Sequence, residues 1–188
     1  MGGTVPRLAT ASPGDELPAV GAVVAEFRAS TVDPDQCRPA GVLGLLHDLH
    51  ETNIAQWDFE DRVRSSAGDD SAIAEAKREI DRLNTRRHQA VEALDAAMDE
   101  ALAQAPSATP STESPGMAFD RLSVLVIRIH HTEASVAEGH DASGLFARLP
   151  ILETQLAVLE EALDALLREI RAGSKRFLPH QSLKLYAP

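Results

Sequence analysis

The stretch ILETQLAVLEEALDALLREI, residues 151–170, decides the fold class. Leu152, Leu156, Leu159, Leu163, Leu166 and Ile170 recur at spacings of three and four, the period that lines side chains along one face of an α-helix. Pro150 suits a first turn, where its missing N–H is no loss, and Gly173 supplies a stop. The spacing therefore predicts a helix over 150–172.

Working outward, the prolines partition the chain. They stand at 6, 13, 18, 34, 39, 106, 110, 115, 150, 179 and 188 and leave 40–105, 116–149 and 151–178 free of them. A proline costs about 3 kcal/mol inside a helix, so helices belong in those gaps, which are also rich in Ala, Leu, Glu and Arg and lack strand signals. Long helices are expected near 41–66, stopping before Gly68; near 70–103, with Asp69, Asp70 or Ser71 as N-cap; and near 117–138, ending at Gly139. The stretch 105–116 (APSATPSTESPG) reads as a loop. A short helix near 17–29 comes first. The expected architecture is all-α: an antiparallel four-helix bundle with a short extra N-terminal helix and a basic C-terminal tail. Residues 1–15 read as disordered, 16–173 as one domain, and 174–188 as the tail.

Composition narrows the functional classes. The chain has 188 residues, 44% apolar and 25% charged, with one cysteine and a net charge of −11. A chain this long buries roughly 70% of its unfolded surface without disulfides. The lone Cys37 excludes an internal bridge and points to a reducing cytoplasm. Nucleic acid is not expected as a partner, because neutralising phosphates needs a basic face. No apolar run approaches the ~20 residues of a membrane span, and the first 17 residues lack a signal-peptide pattern.

The first long helix carries an oddity. On its expected core-facing stripe, Val42, Leu46 and Leu49 give way to Asn53, Trp57, Glu60 and Arg64. The other face, with His47, Asp48, Glu51, Asp58 and Arg62, reads as solvent-facing, and His50 and His140 also read as surface residues. The second helix behaves alike: Ile73, Ala76, Ile80, Leu83, Asn84, Arg87 and Val91 share a seam whose polar members cluster between Lys77 and His88. Folded as a hairpin, the two helices place Glu60 beside Lys77 and Asn53 beside Asn84. Buried polar groups left unpaired cost about 1–3 kcal/mol each, so a shared polar layer is expected, either structural or ligand-binding. In the third helix, Leu122, Leu125, Val126 and Ile129 form one apolar face while Val124 and Ile127 lie opposite. Such a helix belongs at the centre. Asp120 and Arg121 suit a salt-linked cap there, and Arg128 an ion pair or an anion.

Familiar chemistries mostly fail. No glutamate is followed three positions later by a histidine, which excludes a di-iron bundle. His88 and Glu92 have metal-compatible spacing and His130–His131 could add a ligand, but no metal set is complete. Glu92–Asp95 and Glu161–Asp164 match only half of an all-α pyrophosphatase pattern. No phosphate-cradling glycine loop or nucleophile elbow occurs.

Four ordered blocks carry a family resemblance. Asn53-x3-Trp57-x2-Glu60-Asp61-x2-Arg64 is followed by Lys77-Arg78-x-Ile80-Asp81-x2-Asn84-x2-Arg87. Thr112-Glu113-Ser114-Pro115-Gly116 then leads to Asp120-Arg121-Leu122-Ser123. Over about 40–186 the chain resembles bacterial domain-of-unknown-function family 4254. In the tail Lys184 and Tyr186 keep the family's spacing, while Gln181 is displaced and Ala187-Pro188 replaces its Asn-Asp. The resemblance implies no known chemistry. Some members neighbour glycosyltransferases in cell-surface polysaccharide loci, which tilts expectation toward carbohydrate or specialised metabolism.

Two functions are therefore expected from the sequence. One is an enzyme or ligand-binding protein. Glu60 or Asp61 would act as acid or base, Lys77, Arg64 and Arg87 would hold an anionic phosphate- or nucleotide-bearing small molecule, and Trp57 would stack on a ring. Asn53, Asp81, Asn84, His88, Arg121 and Arg128 complete the candidate ligand-binding set; the sequence does not identify a cofactor. The other is a non-catalytic helical interaction or assembly protein, with the second helix, roughly 50 Å long, able to support a homodimer.

Overall fold

Five helices account for most of the described residues: α1 (Val20–Val32), α2 (Gly41–Ser65), α3 (Asp70–Leu102), α4 (Pro115–Ala137) and α5 (Leu145–Arg171). Two two-residue strands, β1 (Thr109–Pro110) and β2 (Lys175–Arg176), pair in parallel. The computed structural model describes residues 17–33, 39–65, 70–139 and 144–181. The expectations for residues 1–15, Cys37, the Gly68 stop, the Asp69–Ser71 cap, the Arg64 side chain, His140, Lys184 and Tyr186 fall outside what it describes.

The fold is all-α, and α4 is its hub. It packs against α1, α2, α3 and α5, whereas α2 lies mainly on α3, and α5 on α4 and α1. This explains the two apolar faces of α4: Leu122, Leu125, Val126, Ile127 and Ile129 are all buried. Around it Phe27, Leu46, Leu94 and Leu163 close the core, together with Phe119 of α4 itself. From α5, Leu156, Leu163 and Ile170 of the leucine stripe are buried, and Leu152, Leu159 and Leu166 are partly so.

Helix boundaries differ from expectation in two instructive places. α4 begins at Pro115, because Ser114 caps it by accepting the Met117 N–H and proline needs no donor at the first position. α5 begins at Leu145, after Gly144 at φ 68°, so Pro150 lies inside the helix. That placement sacrifices one rung of the hydrogen-bond ladder near an exposed start.

The connection from α3 to α4 sets the height of α4. Gly116 N–H donates to Asp95 Oδ1 at 2.7 Å, so α4 starts alongside the Asp95 turn of α3. The loop thus climbs back about 10 Å along α3 from its end at Leu102. Only glycine fits there, since a Cβ on residue 116 would sit 2.6 Å from Asp95 Oδ1 and 3.0 Å from the Val91 carbonyl oxygen.

The segment after α5 returns along α3 as well. Gln104 both accepts from Phe177 N–H and donates to its carbonyl, and His180 N–H donates to Asp95 Oδ2 at 2.8 Å. The buried Asp95 carboxylate therefore joins α3, the start of α4 and the tail.

Candidate functional site

The climb of the loop brings Asp120, one turn into α4, beside Arg87. Arg87 Nε donates to both Asp120 oxygens, at 2.8 and 3.0 Å, and its terminal nitrogen adds a third bond. Asp120 also accepts from Asn53 Nδ2 at 3.0 Å. The carboxylate first, by hydrogen bonding, and then by its charge raises the Arg87 pKa, so this guanidinium stays charged. Asn53 on α2, Arg87 on α3 and Asp120 on α4 form one junction.

The junction continues inward. The second Asn53 amide proton goes to Ser123 Oγ at 3.0 Å, Ser123 Oγ lies 2.8 Å from His50 Nδ1, and His50 Nε2 lies 2.8 Å from Thr31 Oγ1. Thr31 donates to the Phe27 carbonyl at 2.7 Å. That donation fixes every proton: Thr31 must accept from His50 Nε2–H, so Nδ1 accepts from Ser123. His50 is the neutral Nε2–H tautomer. Burial lowers its pKa from 6.5 to about 4, and Phe27 stacks on its ring at 4.3 Å. The Ser123–His50 pair is not a nucleophile, because both residues are fully enclosed.

His47 and His50 thus lie in the interior rather than at the surface. α1 covers the flank of α2 that carries them, and His47 sits between Glu51 at 3.3 Å and Glu26 of α1 at 3.8 Å.

The remaining candidates distribute as follows. Asn53 is buried, Trp57, Glu60 and Asn84 are half-buried, and Asp61, Lys77 and Asp81 are exposed. Glu60 accepts from Gln56 at 3.0 Å, and its charge is felt by Arg87. Trp57 stacks on His131 at 5.1 Å. The His131 pKa is lowered, by burial first and then by neighbouring His130, against the opposing charges of Asp58 and Asp61. His88 stacks on His180 at 5.6 Å. The hairpin partners expected for Asn53 are replaced by Asp120 and Ser123. Sequence reasoning missed Thr31, His50, Ser123 and Asp95; the Asp120-x2-Ser123 spacing, one helical turn on the face toward Asn53, was the available signal for Ser123.

Arg121 and Arg128 point elsewhere. They line a groove of about 740 Å³ floored by α4 and walled by α5, with Arg87 at its α3 margin. Arg121 bonds Glu113 at 2.8 Å. Arg128 is exposed and has no ionic partner among the described residues. The wall between the arginines is apolar: Val124 and Leu125 face Val158, Leu159, Ala162 and Leu166. No group of three or more metal-ligating side chains occurs among the described residues, and no helix is long and apolar enough to cross a membrane.

Fold and site together define an all-α protein with a closed polar junction inside and an arginine-rimmed groove outside. The family model described as protein of unknown function (DUF4254) matches residues 44–178, and the chain belongs to that family. No curated protein and no solved structure matches it.

Proposed function

We propose that the protein binds a small organic anion in the groove between α3, α4 and α5, with the internal junction as the frame that holds the groove in shape. One observation carries this reading: in a chain of net charge −11, Arg128 stands without an ionic partner among the described residues at the rim of an apolar-walled groove of ligand size. Arg121 and Arg87, tethered to Glu113 and Asp120, add positive potential farther along the same groove. The tethers cost the arginines entropy in advance of binding rather than during it. Glu60 and Asp61 do not line the groove, so the reading is one of binding, with acid–base chemistry left to whatever else joins the site. Sugar phosphates and nucleotide sugars serve as the first probes of the anion, given the glycosyltransferase neighbours that the resemblance implies.

A thermal-shift titration tests it with inorganic phosphate, glucose 1-phosphate and UDP-glucose. Binding to the folded state raises Tm by mass action, so at least one organic anion should raise it by several degrees. Arg128→Glu should abolish the rise while shifting the unliganded Tm little, by about 2 °C or less. No response to any anion, or an equal response in the variant, overturns the reading.

A second reading, a helical assembly protein, draws on exposed Phe146, Ile151 and Val158 along α5. Light scattering separates it, because assembly through α5 requires a mass above that of one chain.

A further inference from the structure

We infer that the groove's ligand is an anionic amphipath: a phosphate or carboxylate head carried on a linear apolar chain. The inference rests on the anion-binding reading and adds what the rest of the molecule must be. The groove is not uniformly polar. Arg128 lies toward the end where α5 contributes Thr154 and Gln155, and α4 and α5 run antiparallel from there toward Ala118 and Leu166. Between the ends, the surface offers Val124 and Leu125 on one side and Val158, Leu159 and Ala162 on the other. Val158 is 60% exposed.

A sugar lying along that wall would bury hydroxyls against methyl groups with no partners, a costly arrangement. Among the wall residues, Thr154 already donates its hydroxyl proton to the Pro150 carbonyl at 2.7 Å. A hydrocarbon chain has no such requirement and would remove Val158 and its neighbours from water. Length agrees as well. From Thr154 to Leu166 the helix rises about 18 Å, long enough to hold an extended dodecyl chain of about 14 Å, built from carbon–carbon bonds of about 1.5 Å in zigzag. The occupant is a single free chain rather than a bilayer, because a chain of net charge −11 is repelled by an anionic membrane surface and the groove's three arginines are spaced along it rather than gathered in one basic patch.

Isothermal titration with methyl, hexyl and dodecyl phosphate, each below its micellar concentration, tests the inference on the full chain. Dodecyltrimethylammonium serves as the charge control. Vesicles of phosphatidylcholine with phosphatidic acid test whether the same chemistry is met on a membrane instead. Affinity should rise about tenfold or more from hexyl to dodecyl phosphate, and the ammonium should not bind. Val158→Asp, at an exposed position, should erase the chain-length gain while sparing any methyl phosphate response. Arg128→Ala should weaken every phosphate. If sugar phosphates bind through Arg128 and the alkyl series is flat, the amphipath is overturned and the anion reading stands. If no anion binds, both fall. Flotation with vesicles but no free-chain binding overturns the free ligand, as does a dimer that Val158→Asp dissociates, since a second copy would then fill the groove.

Discussion

Two sets of polar side chains meet on α4 and end differently. On the side toward α2 and α3, Asp120 and Ser123 take part in a chain of bonds from Arg87 through Asn53 and His50 to Thr31, and each described link has its partner. On the side toward α5, Arg128 has no ionic partner among the described residues, and the surface beside it is apolar. The same residue types serve opposite purposes according to whether their valences are closed. A satisfied network holds helices in register; an open cation beside hydrocarbon holds something that arrives later.

The sharpest way to break this comparison is to open the closed set. Asp120→Ala leaves Arg87 and Asn53 without their shared acceptor and should cost about 4 kcal/mol in urea denaturation. The double variant Arg87→Met with Asp120→Leu should recover most of that. A loss near zero for the single variant would mean that the junction does not hold the fold. Acid probes the same set without mutation. The folded His50 pKa of about 4 lies below its unfolded value of 6.5, so between these pH values the unfolded chain binds the extra proton. Stability from this residue is complete above pH 6.5 and drains as pH falls toward 4, by about 3 kcal/mol. His50→Gln should flatten the slope of the unfolding midpoint against pH in that window.

Smaller effects sharpen the comparison. Gly116→Ala forces a methyl onto the Asp95 carboxylate and the Val91 carbonyl and should cost about 2 kcal/mol. A thermal melt showing no change would mean that α4 can slide along α3. Ser114→Ala, which removes the α4 cap, should cost about 1 kcal/mol. Least of all, Arg128→Glu should alter the melt by about 0.5 kcal/mol or less and yet remove the anion response. An exposed residue is then the one whose loss is felt only by the ligand.

Much of the fold was legible, because α5's leucines and the proline-free gaps report helices directly. The polar junction was legible only in part: Asn53 and Arg87 stood out on otherwise apolar seams, whereas Lys77 of the expected layer is exposed. The partners of Asn53 and Arg87 were not legible. A helical phase tells which face of α2 is inward but not which neighbour it meets, and pairing α2 with α3 alone overlooked α4. The contribution of Asp120 depended on how far a proline-rich loop climbs, which Gly116 against Asp95 decides. His47 and His50 read as solvent-facing because α1 is short and its docking onto the flank of α2 leaves no periodic mark. The groove depends on where α3 and α5 stand relative to α4, which no single helix records.

The clasp at Asp95 also bears on the order in which the protein matures. The Asp95 carboxylate that sets the height of α4 is gripped by His180, and Gln104 just beyond α3 by Phe177; both residues leave the ribosome long after α3 and α4 have been made. Synthesis proceeds at about 5–20 residues per second. For several seconds, then, the nascent helices can meet without this latch, and the register that places Asp120 against Arg87 gains its last tie only once His180 has been made.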